Sequence, residues 1–314
     1  MDQKTDIKKG IFFAFITSII SGVAIFYSKI SLAKLPPLIL TTSRNSFVGL
    51  LFVIYFLIFG KFDQLKNLKK KDRIYLFLIG LIGGSLPFYL FFTGLSMTTP
   101  VVGNLIHKTL FIWVAILAYF FLKEKFSPVY FISFLLIFIA NFIISAVKPT
   151  FGAGESMILL ATVFWSVENI IAKKVLSRVS AEAVGLFRMV IGGATLFFIS
   201  LINGQSSIFL TMDLWQLTII LVGGSILFGY VFFWYKALKY APASLVSLVL
   251  TFSVVVGNIL NGSFANLKIL PKDIYSSILI FAASGLIFFQ IFFKKLKKGP
   301  SLIKVRPQTK DENE

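Results

Sequence analysis

Apolar residues run in long blocks along this chain, and polar residues gather in short clusters between them. Runs of about 20 apolar residues, the length that crosses a bilayer core, lie near 10–29, 37–60, 74–95, 99–121, 128–147, 154–173, 181–203, 214–236, 242–262 and 273–293. Their joints carry turn and helix-start signals: Pro36-Pro37, Thr99-Pro100, Ser127-Pro128, Ala241-Pro242 and Pro271. The pattern predicts an all-α integral membrane protein with ten transmembrane helices.

Composition agrees. Of 314 residues, 57% are hydrophobic and 14% charged, against about 25% charged in soluble domains. Net charge is +18. In a membrane protein such an excess records topology rather than nucleic-acid binding. Of 31 Lys and Arg, five (Lys29, Lys34, Lys148, Lys268, Lys272) fall on the side opposite the N-terminus and three (Arg44, Lys108, Arg188) at membrane depth; the remaining 23 fall on the N-terminal side. By the positive-inside rule both termini are cytoplasmic. Residues 1–9 then form a cytoplasmic N-terminus, and 294–314 a basic cytoplasmic tail. The first apolar run is too long for a signal-peptide core and is read as an uncleaved helix. The absence of cysteine excludes disulfides and thiol chemistry.

The chain repeats itself. Residues 10–60 align without a gap onto 154–204, matching Gly10/Gly154, Lys29/Lys173, Arg44/Arg188, Gly49/Gly193 and Gly60/Gly204. Further on, LIGGSLPFYLFF (81–92) resembles LVGGSILFGYVFF (221–233). The halves, 10–148 and 154–293, hold five spans each. An odd number forces them to insert upside down to each other, the arrangement of secondary transporters with a midplane site between repeats.

These features resemble the drug/metabolite transporter superfamily, EamA type, over residues 10–293. The resemblance rests on the 5+5 arrangement, an Arg early in the second span of each half (TTSRNSFVGLL and GLFRMVIGGAT), the fourth-span ending FFLKEKFSP and the segment YKALKYAPASLVSLV. It implies two inverted five-helix repeats around a cavity lined by spans 1, 3, 4, 6, 8 and 9, and transport of small metabolites such as amino acids, nucleosides, sugars or drugs. Where the family usually has proline in the fourth span, this chain reads HKTLFIW.

Charge inside a bilayer costs about 2.5–3.5 kcal/mol on insertion scales and marks a cavity or a pair. Lys108 lies more than about 12 Å along the helix from either end of its span, too far to snorkel out. Asn104, His107 and Lys108 are spaced i, i+3, i+4 and share one helix face, expected to meet an anionic or zwitterionic substrate. Glu168 and Arg188 are each ten residues from Arg178. They therefore sit at similar depth in a hairpin, either as a structural ion pair or as a gating or proton-coupling pair. Arg44, the equivalent of Arg188, faces Ala24 where Glu168 would be, and must find another partner. Trp165 and Asn169 lie on a polar face of the sixth span; Tyr89 and Trp234 are candidates for stacking on substrate. Gly83-Gly84 with Pro87, and Gly223-Gly224 with Gly229, predict matched kinks in spans 3 and 8.

One histidine, no cysteine and a single acid well inside a span leave little for metal or acid–base chemistry. No enzyme activity, cofactor or metal is expected. The sequence predicts a secondary transporter in a bacterial-type inner membrane, a monomer or homodimer in contact with membrane lipids, carrying small organic metabolites such as amino acids by alternating access. The alternative is a flippase for lipids or lipid-linked sugars.

Overall fold

The computed structural model describes residues 3–98, 100–143, 152–264, 270–292 and 303–304. The basic tail beyond Phe292, apart from Ile303–Lys304, lies outside the described residues, as does the side chain of Asn104. The first half comprises α1 (Gln3–Leu32), α2 (Pro37–Ile58), a single surface turn α3 (Asp63–Lys66), α4 (Lys70–Gly84), α5 (Leu86–Met97), α6 (Pro100–Lys108), α7 (Leu110–Leu122) and α8 (Pro128–Phe138), which continues into a π-helical turn at Ile139–Ile143. The second half comprises α9 (Ala153–Val175), α10 (Ala181–Ile202), α11 (Leu214–Tyr240), α12 (Ala243–Leu250), α13 (Ser253–Phe264) and α14 (Pro271–Phe292). The only strand pairing among the described residues is a two-residue ladder of Lys125–Phe126 with Ile303–Lys304.

Taking α4–α5, α6–α7 and α12–α13 as single broken spans, nine described helices are long and apolar enough to cross a membrane, and Pro128–Asn141 is a shorter apolar helix. Large apolar side chains cover the outside. Leu57, Phe121, Phe198 and Ile202 are among many that are well exposed, the reverse of a water-soluble surface and suited to lipid.

The two repeats interlock. α1 runs along α11, α2 along α10, and α5 along α9, so the long packing seams join one half to the other. Close approach is made possible by small residues. A Cβ added at Gly84 would lie 2.0 Å from the Arg188 carbonyl oxygen, and one at Gly192 2.3 Å from that of Gly84.

Three spans are broken, and the breaks have causes. α4 ends at Gly84; Ser85 follows with φ of −128° and ψ of −74°, which are not helical, and α5 resumes at Leu86 with Pro87 in its first turn. Proline has no N–H for the carbonyl four residues back, which here is Gly83. The matched kink expected in the eighth span is absent: α11 runs unbroken for 27 residues, because Gly223-Gly224 is not followed by proline and glycine alone need not interrupt a ladder. The paired breaks lie instead in spans 4 and 9, at Thr109 and at Thr251-Phe252. Both threonines donate Oγ1 to the carbonyl three residues back, Ile106 at 2.7 Å and Leu248 at 2.6 Å. Both also donate their backbone N–H to that same carbonyl, a tight 3₁₀-type turn.

Polar contacts tie the two repeats together at the N-terminal side. Every residue of α12 is buried. Glu124, just past α7, accepts from the backbone N–H of Ala243 at 2.8 Å and of Ser244 at 3.3 Å, and from the Ser244 hydroxyl. It caps α12 from the other repeat, where a carboxylate also meets the positive end of the helix dipole. Lys173 Nζ caps the opposite kind of end, donating to the carbonyls of Leu238 at 2.6 Å and Ala241 at 2.8 Å at the close of α11. Ion pairs Arg178–Asp72 at 2.8 Å and Lys236–Glu182 at 3.4 Å lie at the same end.

Candidate functional site

Between the halves lies a cavity of about 120 Å³. α1 contributes Ser21, Ala24, Ile25 and Ser28, all from the half of that helix away from its N-terminus. Of the residues singled out in the sequence, Arg44, His107, Trp165, Glu168, Asn169, Arg188 and Trp234 line it. They come from α2, α6, α9, α10 and α11, two from the first half and five from the second.

The freed carbonyl of Gly83 organises one wall. It accepts from Trp165 Nε1 at 3.1 Å and from Arg188 Nη2 at 3.1 Å, and Asn45 Nδ2 donates to the next carbonyl, Gly84, at 2.8 Å. Side chains from three neighbouring helices thus meet the backbone groups that the Pro87 kink exposes, as membrane helices require. Gly83 also makes room: a Cβ there would lie 2.4 Å from Glu168 Cγ.

The expected Glu168–Arg188 ion pair does not form within 4.0 Å; the ion pairs among the described residues are elsewhere. Instead Tyr235 donates its hydroxyl to Glu168 Oε1 at 2.6 Å, and the Arg188 guanidinium lies over the rings of Tyr235 and Phe88, at 5.7 and 5.8 Å. Similar depth brought the two charges into electrostatic range, but the Gly83 carbonyl and the Tyr235 hydroxyl took the direct contacts. Tyr235 opens the segment YKALKYAPASLVSLV, but no local spacing marks its hydroxyl as the partner of Glu168, 67 residues away.

Aromatic rings make most of the remaining wall. His107 lies between Phe91 and Trp165, 5.0 Å from each ring, with Nδ1 unpartnered. Tyr230 and Trp234 stack at 5.9 Å, and Trp234 Nε1 donates to Asn169 Oδ1 at 3.0 Å. Arg44 lies over Phe92 at 5.8 Å.

Two candidates lie elsewhere. Tyr89 packs against the hydrophobic core and is not part of the lining. Lys108 is not part of it either; the acid in electrostatic range of its ammonium is Asp273, in the first turn of α14. Successive helix residues are about 100° apart, so the turn of α6 that aims His107 inward aims Lys108 away.

A family model for EamA-like transporters matches the chain twice, at residues 8–146 and 152–289. The chain belongs to the EamA-like transporter family. It is therefore a multi-pass membrane transporter of the drug/metabolite superfamily, built from two inverted repeats, with a small-molecule substrate and a lipid surround. The family is one of transporters rather than enzymes. No curated protein matches the sequence. A solved structure described only as a crystal structure of a protein superposes with a TM-score of 0.71 at 15% identity, over 88% of this chain and 96% of that one. At that identity the likeness concerns the fold alone.

Proposed function

We propose that this EamA-type protein moves small organic metabolites, anionic or zwitterionic and of the amino-acid class, across a bacterial-type plasma membrane by alternating access, with both termini cytoplasmic and as a monomer or homodimer. Lys and Arg asymmetry supports that orientation. The observation that carries the substrate reading is a cavity with two buried guanidiniums, each with Nε and Nη1 unpartnered, set among aromatic rings. Free cationic donors take a carboxylate, and rings take an apolar side chain.

Glu168 is the acid on the cavity wall that exchanges a proton in the gating reading, with Arg188 in electrostatic range and Arg44 elsewhere on the same lining. The test is flux in proteoliposomes loaded with radiolabelled amino acids in one set and lipid-linked sugars in another. Saturable amino-acid flux supports the reading; movement of the lipid-linked sugars alone replaces it with the flippase.

A further inference from the structure

We propose that the anionic group of the substrate is a carboxylate, and that it sits beside Arg44 over Ala24, in the place where the repeat symmetry leaves a carboxylate missing. This rests on the transport reading above and adds the group recognised and its location.

The alignment of the halves at an offset of 144 pairs Arg44 with Arg188 and Ala24 with Glu168. All four residues line one cavity. The glycines beside the two arginines correspond. A Cβ added at Gly83 would lie 3.4 Å from Arg188 Nε, and one at the matching Gly223 would lie 3.5 Å from Arg44 Nε. The rings around them differ in origin: both guanidiniums lie over phenylalanines of α5, Phe88 or Phe92, at 5.8 Å, and the tyrosines in electrostatic range are Tyr235 of α11 for Arg188 and Tyr27 of α1 for Arg44.

The two arginines differ in what answers their charge. Neither has a carboxylate within 4.0 Å among the described residues, and both have Nε and Nη1 unpartnered, but Arg188 has the Glu168 carboxylate in electrostatic range and the Gly83 carbonyl in direct contact. Arg44, 5% exposed, has among the described residues only the Tyr27 hydroxyl acting on it. A buried guanidinium without a counter-charge is costly, whereas one facing a cavity can be satisfied by what enters. Arginine presents paired donors to a carboxylate. Ala24 in place of the acid leaves the room for it, and the neighbouring rings receive the apolar remainder.

The probes are 3-phenylpropionate and L-leucine, each beside its carboxamide. Binding to the purified full-length protein is read from tryptophan fluorescence, since Trp165 and Trp234 line the cavity, and uptake from proteoliposome flux. The acids should bind at least tenfold more tightly than the amides. Ala24→Glu supplies the missing carboxylate in cis, so it should weaken acid binding at least tenfold without lowering the melting temperature. Ala24→Gln, of the same size and uncharged, should retain most of it, and Arg44→Gln should lose it. Amides that bind and move as well as the acids overturn the carboxylate while leaving transport intact. Equal losses in Ala24→Glu and Ala24→Gln overturn the location. Failure of both acids and amides to bind or move overturns this proposal together with the transport reading beneath it.

Discussion

Tyr235 of α11 donates its hydroxyl to the Glu168 carboxylate of α9 at 2.6 Å, and both side chains are buried. The contact joins two helices of the same repeat at the cavity wall. It also leaves Arg188 beside the carboxylate rather than bonded to it. If Glu168 carries the coupling proton, its charge must be free to change without breaking an ion pair, and this arrangement allows that. We expect Glu168→Gln to abolish uptake driven by an imposed pH gradient while substrate exchange at equal pH persists. Tyr235→Phe removes a hydrogen bond to a charged group, worth about 1.5–3 kcal/mol, and should lower the melting temperature and shift the pH profile of uptake. Gradient-driven uptake unchanged in Glu168→Gln would remove this residue from coupling.

The two matched glycines should respond differently to the same change. At Gly83 an added methyl would meet Glu168 Cγ at 2.4 Å, whereas at Gly223 the nearest atom, Tyr27 Cε1, is 3.3 Å away. Gly83→Ala must displace the carboxylate or open the α4–α9 seam, so transport should fall at least tenfold. Gly223→Ala asks only a few tenths of an ångström from a tyrosine edge and should keep most activity. Flux measured at equal amounts of folded protein decides it; equal effects would mean that the repeats are not differentiated at this position.

How much of this was readable in the sequence depends on the distance over which each interaction acts. Span lengths and the repeat are written in runs of apolar residues and matched Gly and Arg, which a linear reading detects. Pro87 revealed the third-span kink because proline acts on its own backbone. The breaks in spans 4 and 9 were missed, because Thr109 and Thr251 also occur in unbroken helices and the turn forms only in context. Helical spacing grouped His107 with Lys108, yet a helix rotates about 100° per residue and only packing decides which neighbour faces inward. Tyr235 and the role of Glu124 depend on contacts 67 and 119 residues away, and no local pattern reports those.

Glu124 belongs to the first repeat and caps the first turn of α12 in the second. Alternating access requires the N-terminal side to open, and this cap spans the seam that must part. Removing it leaves two buried N–H groups and a serine hydroxyl without their acceptor, at about 1–3 kcal/mol each where water does not replace it. We expect Glu124→Ala to lower the melting temperature by several degrees and to loosen α12. The chain has no cysteine of its own, so a single cysteine at Val246, fully buried here, reports the opening directly. A membrane-impermeant maleimide should label Val246→Cys slowly alone and several-fold faster with Glu124→Ala, and equal rates would show that the cap does not hold the gate.

Lys108 and Arg44 offer competing accounts of how an anion is held, and the geometry separates them. Both are cations at membrane depth. Arg44 lines the cavity with unpartnered donors, whereas Lys108 lies off the lining with Asp273 in electrostatic range. A charge outside the cavity acts on the substrate only through the intervening protein, and the interaction weakens with distance. We therefore expect Lys108→Met to change 3-phenylpropionate affinity by no more than about threefold, against at least tenfold for Arg44→Gln. Asp273 lies in electrostatic range of Lys108 without an ion pair within 4.0 Å among the described residues. A double-mutant cycle of melting temperatures with Asp273→Asn measures their coupling, which should be small. Should Lys108→Met weaken the acid as strongly as Arg44→Gln does, the anion lies nearer α6 than the repeat symmetry implies.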